Sequence, residues 1–193
     1  MKRAFTLIEM VVCIAIIGVV LSITLPVIAG VRERGRALAC RVNLRSIGQA
    51  LTMYRNANRD LLPVAEWPAD AFTTFTGPFD ALAAHLDAPF PRPDFERGEA
   101  VTGDPWRCPA DAMRSPATGF SYVYTPYTAF QVMMGDDQRR VQRDFTRHPE
   151  TVIFLDWDRV HPGRGHQRRN ALRLDGSVRR HNGVIMPGVP PAP

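Results

Sequence analysis

The chain has 193 residues, 45% of them hydrophobic and 22% charged, which allows one membrane segment and one domain of ordinary size but not two large domains. Its net charge of +5 invites a nucleic-acid reading, yet the excess is local: from Arg139 onward eleven arginines face five acidic residues, while the rest carries thirteen basic and fourteen acidic residues. A chain-wide phosphate-binding surface is thereby excluded, and the ordinary reading of the C-terminal segment is a solvated basic face.

The first element is apolar. Met10 to Val31 holds no charged residue, and a helix of roughly 20 residues rising about 1.5 Å each spans a bilayer core of about 30 Å. A plain anchor fits, and so does a secretory signal with Lys2 and Arg3 as its basic region and Val27-Ile28-Ala29 before the cut. Signal peptides have apolar runs of about 7–15 residues, however, and do not need a carboxylate at the start. Glu9 supplies one here. A charge in a bilayer costs about 2.5–3.5 kcal/mol on insertion scales, so it calls for a countercharge. No Lys, Arg or His follows Glu9 before Arg32. A free amino group created just before Phe5 would be a cation one helical turn from Glu9, and the terminus of one subunit could meet Glu9 of its neighbour.

Lys2-Arg3-Ala4 followed by Phe5-Thr6-Leu7-Ile8-Glu9 resembles the prepilin-type cleavage and methylation site of type IV pilins and type II secretion pseudopilins. The resemblance implies cleavage between Ala4 and Phe5 by a prepilin peptidase, N-methylation of Phe5, and Glu9 as the carboxylate that registers subunits. Ala4 stands where the family usually has glycine. A filament of copies or related subunits in the bacterial inner membrane follows, with the N-terminus cytoplasmic and the domain periplasmic. That orientation comes from the need to reach the peptidase, because Arg32, Arg34 and Arg36 make the positive-inside rule ambiguous. Pro26, which removes a backbone donor and bends a helix, has a counterpart in pilin helices.

Beyond the apolar run, Ala37, Cys40, Leu44, Ile47, Leu51 and Tyr54 recur at spacings of three and four, one apolar stripe on a continuing helix. The helix is expected to end near 56–60, ahead of Pro63. From 61 to 119 the sequence reads as loop, with Trp67, Phe72, Phe75, Phe79, Phe90, Phe95 and Trp106 as packing residues and a short helix over 81–86 capped by Asp80. Strands are expected at 120–124 and 151–155. Segments 171–174 and 177–180 flank Asp175-Gly176, which predicts a two-residue type I′ hairpin. The result is an α+β fold. Its parts are a leader over 1–4, a transmembrane helix over 5–31, an amphipathic continuation over 32–58, a globular domain over 59–186 and a frayed tail over 187–193.

Cys40 with Asn43, Leu44 and Gly48, then Arg107-Cys108-Pro109-Ala110-Asp111, then His166 with Asn170 and Asp175-Gly176-Ser177-Val178, together resemble the planctomycete-type group of major-pseudopilin-like proteins. Cys40 and Cys108 are the two cysteines outside the apolar run. In an oxidising compartment they can pair, closing a loop that adds about 4 kcal/mol in the chain-entropy model. The alternative makes Cys40 a small core residue and Cys108 an unpaired thiol.

Asp156, Asp158, His161, His166 and Asp175 are candidate metal ligands. Calcium, which major pseudopilins often bind, wants six to eight oxygens, and no EF-hand spacing is present. Zinc would want closely spaced His or Cys pairs. The expectation is no metal and no cofactor, with Asp156, Asp158 and Asp175 as weak calcium candidates. No nucleophile elbow, phosphate-binding glycine loop or HExxH occurs, so the chain reads as a structural subunit and not an enzyme. Arg164, Arg168, Arg169, Arg173, Arg179 and Arg180 crowd around the hairpin as a candidate DNA patch, the rival to a role in secretion alongside a simple anchored binding domain.

Overall fold

The computed structural model describes residues 7–63, 79–125, 146–157, 161 and 169–181. The chain divides into two compact units, Met1–Gly35 and Arg36–Pro193. Helix α1, Leu7–Ala57, runs 51 residues and carries Pro26 inside it. In the first unit its large apolar side chains, among them Leu7, Ile14, Ile23 and Val31, are exposed.

In the second unit α1 is amphipathic. Ala37, Cys40, Leu44, Ile47, Ala50 and Leu51 are buried, and Tyr54 packs at the core's margin, the stripe expected from the spacing of three and four. Two residues with positive φ, Arg59 at 57° and Asp60 at 64°, turn the chain back. The Asp60 N–H then donates to the Arg55 carbonyl at 2.8 Å, satisfying a terminal acceptor.

The domain core is aromatic. Short helix α2, Phe79–Ala83, inserts Phe79 between Phe120 (ring centroids 4.7 Å), Phe154 (5.4 Å) and Trp106 (5.6 Å). Asp80 lies within the first turn of α2 and is not its cap, because the demand to bury Phe79 draws the helix earlier than local propensity suggests. Phe95 is the exception among the described aromatics: it sits at the tip of the hairpin β1 (Arg92–Asp94) and β2 (Glu99–Val101) and is 79% exposed. Trp67, Phe72 and Phe75 lie outside the described residues, as does the 187–193 tail. Helix α3, Arg114–Thr118, follows and ends at Gly119 with φ of 84°.

The main sheet is antiparallel in the order β3 (Tyr122–Tyr124), β4 (Val152–Asp156), β5 (Arg169–Arg173), β6 (Val178–His181). One face presents Tyr122, Tyr124, Phe154 and Leu172 to the core, while Val123, Leu155 and Ala171 on the other face are also buried. Both faces are therefore covered at the centre of the sheet.

The hairpin is not type I′, which needs positive φ at both central residues. Only Gly176 has it, at 79°. The Gly176 N–H donates to the Arg173 carbonyl and the Arg173 N–H to the Ser177 carbonyl, each at 2.9 Å, giving a three-residue loop with a left-handed glycine. The longer loop lets the Leu174 and Asp175 N–H groups reach the Thr151 and Pro149 carbonyls at 2.9 and 3.0 Å, tying the turn to the start of β4.

Helix and sheet meet closely at Gly48, where an added Cβ would stand 2.9 Å from Leu172 Cδ1. Leu172 is fully buried and has little room to yield. Gly48→Val is expected to destabilise the domain by about 1–3 kcal/mol through overpacking, read as a lowered urea midpoint with the slope unchanged.

Candidate functional site

Two regions carry chemistry. In the first, Glu9 lies in the opening turn of α1, where the helix dipole favours a carboxylate. From Leu7 to Val31 the helix is about 37 Å long at 1.5 Å per residue, and it is long and apolar enough to cross a membrane. Ser22 and Thr24 donate their hydroxyls to the Val19 and Leu21 carbonyls at 2.7 and 3.3 Å, so the polar side chains just ahead of Pro26 are satisfied within the helix. Arg32, Arg34 and Arg36 are exposed at the end of the apolar run. Ala4 and Phe5 lie outside the described residues.

The second region is a buried polar cluster in the domain. Cys40 of α1 and Cys108 are joined by a disulfide, both essentially without exposure. One turn further along α1, Asn43 donates through Nδ2 to Asp104 Oδ1 and to the Arg107 carbonyl, each at 2.7 Å. These contacts fix the loop bearing Cys108 against the helix. Asp111 then organises that loop: its carboxylate accepts the N–H groups of Met113, Arg114 and Ser115 and the Ser121 hydroxyl, while Ser121 Oγ accepts the Cys108 N–H at 2.9 Å. Asp111→Asn replaces one acceptor with a donor facing Ser115 and Ser121. It is expected to cost about 1–2 kcal/mol, the penalty of a mispaired buried polar group, seen in thermal unfolding.

Against the disulfide lie Asp156 and His161, 1% and 2% exposed. Asp156 Oδ2 accepts from His161 Nε2 at 2.8 Å and from the Asn170 N–H at 2.6 Å, and Arg41 Nε donates to Asn170 Oδ1 at 3.2 Å. Burial pushes the Asp156 carboxyl above its usual range, opposed by His161 and Asn170. Burial, and secondarily the Asp156 charge, hold the Tyr122 phenol far above its ordinary value, so it stays neutral and donates to the Cys40 carbonyl at 3.4 Å. His161 Nε2 also stands 3.6 Å from Cys108 Sγ. In a nucleophile–base relay the orienting carboxylate takes the other ring nitrogen, whereas here carboxylate and sulfur meet the same one, an arrangement unlike that of a cysteine hydrolase.

Among the described residues, the calcium candidates Asp156 and Asp175 stand apart. Asp156 ends β4 beside Asn170, whereas Asp175 hangs from the hairpin at the opposite end of that strand and is exposed, its carboxylate accepting the Ser177 N–H at 2.8 Å. Hydrogen bonding from Ser177, its side chain first and then its backbone N–H, holds Asp175 below the ordinary carboxylate range. Asp158 and His166 lie outside the described residues. The basic residues divide as well. By register, Arg169, Arg173 and Arg179 share one face of the hairpin and Arg180 takes the other, Arg173 pairs with Glu150 at 3.4 Å, and Arg164 and Arg168 are outside the described residues.

Residues 1–25 match the family model of the prokaryotic N-terminal methylation motif. The chain carries a prepilin-type N-terminus. No curated protein and no solved structure matches the chain. The match ends inside α1, so it characterises a pilin-like N-terminus and leaves the domain to be read from its own residues.

Proposed function

We propose that this chain is a membrane-anchored pseudopilin-like filament subunit, cleaved after Ala4 by a prepilin peptidase, N-methylated on Phe5, and serving type II-like protein secretion. The observation that supports it is the methylation motif over residues 1–25 leading into a helix whose apolar side chains are exposed from Leu7 to Val31. Before assembly those side chains lie in lipid, with the N-terminus on the cytoplasmic side and the domain in the periplasm, where a disulfide persists. On assembly they exchange lipid for the helices of neighbouring copies, and Glu9 meets the methylated terminus of the adjacent subunit.

The test is the mass and N-terminal sequence of the protein recovered from membranes of a host with an active prepilin peptidase. A chain beginning at N-methylated Phe5 is expected. One beginning at Gly30 would make this a secreted protein, and one beginning at Met1 a plain anchor; either overturns the proposal.

A further inference from the structure

The disulfide, His161 and Asp156 form a cluster that a filament subunit does not require. Cys40 Sγ, Cys108 Sγ and His161 Nε2 lie within 4.8 Å of one another, all buried, and Asp156 Oδ2 is 2.8 Å from that same nitrogen. We infer that, when its two cysteines are thiols, this cluster is a zinc site whose ligands are Cys40 Sγ, Cys108 Sγ, His161 Nε2 and Asp156 Oδ2. The disulfide and the zinc ion are then alternative occupants of one place. The inference does not depend on the proposed role in secretion.

Three features carry it. The donor set, two sulfurs with one imidazole and one carboxylate, is drawn from the groups that bind zinc in tetrahedral sites. One distance already suits it: bonds of about 2.3 Å to sulfur and 2.0–2.1 Å to nitrogen place sulfur and nitrogen about 3.5 Å apart at tetrahedral angles, and Cys108 Sγ stands 3.6 Å from His161 Nε2; the two sulfurs, bonded to each other in the disulfide, separate to about 3.8 Å, and Asp156 Oδ2, 2.8 Å from the same nitrogen, moves out by about 0.5 Å when all bind the ion. Three of the four donors sit on hydrogen-bonded backbone. Cys40 is on α1, Cys108 on the loop held by Asn43 and Asp111, and Asp156 at the end of β4 with Asn170 against it. Such surrounding hydrogen bonds orient metal ligands. The convergence of sulfur and carboxylate on one ring nitrogen, out of place in a catalytic relay, is what a common metal centre produces.

The chemistry balances without an enzyme. A newly made chain holds both cysteines as thiols; zinc displaces their two protons, and the proton on His161 Nε2 moves to Nδ1. From the oxidised protein, a phosphine reductant supplies two electrons to open the Cys40–Cys108 bond, water supplies the two thiol protons, and the phosphine becomes its oxide. An oxidant that withdraws two electrons from the zinc-bound thiolates forms the disulfide and expels the ion. Bound zinc therefore delays disulfide formation.

The test uses the full chain in detergent, in a Cys13→Ser background that removes the third thiol. Phosphine-reduced protein is titrated with cobalt(II) and separately loaded with zinc, and metal is counted per chain after gel filtration. Near-UV circular dichroism reports whether the domain stays packed. One zinc per chain is expected in the reduced protein and less than about a tenth of that in the oxidised protein. Cobalt should give the intense visible bands of tetrahedral coordination with thiolate charge transfer. His161→Ala should weaken binding at least tenfold and remove the zinc-dependent delay in reoxidation by diamide. If the reduced domain loosens, recovery of its near-UV signal on adding zinc supports the site. Reduced chain that binds no metal, stays unfolded with zinc, or binds as well with His161→Ala overturns it.

Discussion

Glu9→Leu is expected to leave the chain inserted and cleaved after Ala4 but to reduce its incorporation into filaments by at least about a hundredfold. In the filament proposed above, the carboxylate would face the amino terminus of a neighbour among apolar side chains. Removing one partner of a buried ion pair leaves the other charge uncompensated, at a cost of about 3–5 kcal/mol, paid at every subunit contact. Leucine adds apolar area to a segment whose side chains already lie exposed from Leu7 to Val31, so insertion should not suffer. The measurement is the ratio of pelleted filament to membrane-retained subunit in a strain expressing only the variant. Wild-type incorporation would show that Glu9 does not register subunits.

Replacing both bridged cysteines with alanine should be the most damaging change in the domain. The disulfide spans 68 positions in sequence, and closing a loop of that length in the unfolded chain corresponds to about 4 kcal/mol. For a domain of this size that is a fall of about 10–15 °C in melting temperature. The variant keeps the apolar character of both buried positions, so little of the loss should come from packing. Near-UV circular dichroism of full chain in detergent, with and without the double substitution, measures it. A shift below about 3 °C would mean that Asn43 and Asp111 hold the loop without the bridge.

The N-terminal half of the story was legible because its signals are local. A five-residue motif, one misplaced carboxylate and a charge-free run each speak without tertiary context. The stripe from Ala37 to Tyr54 was equally plain, since helical spacing depends on nothing beyond the helix. What escaped depends on distant partners. Asp80 reads as a cap until Phe79 has a stack of aromatic rings to enter. Asp175-Gly176 reads as a type I′ turn until Leu174 and Asp175 find carbonyls on the chain ahead of β4. Of the two histidines named as candidate ligands, His161, five residues after Asp156, reaches the disulfide, and His166 lies outside the described residues. Cys40 with Cys108, and Asp156 with His161, each drew notice as a pair, but no pattern in sequence joins the two pairs, because α1, the Cys108 loop and the stretch from Asp156 to His161 meet only on folding. Fixed His or Cys spacing marks a local zinc site, and the site inferred above, which draws its donors from distant segments, would carry no such mark.

The sheet's last described strand has a bearing on life at high density. β6 ends the order β3-β4-β5-β6, and its Arg179 and Arg180 are exposed. A terminal strand is a template on which an identical strand from another molecule can extend the sheet, and crowding in a membrane or filament makes such encounters frequent. Laid antiparallel, a second β6 would bring the arginines of both copies to within about 5 Å across the new strand pair, where like charges repel. The local positive charge that first suggested DNA thus has a quieter use. In the proposed filament it would disfavour pairing of domains through β6 and leave contact between copies to the helices.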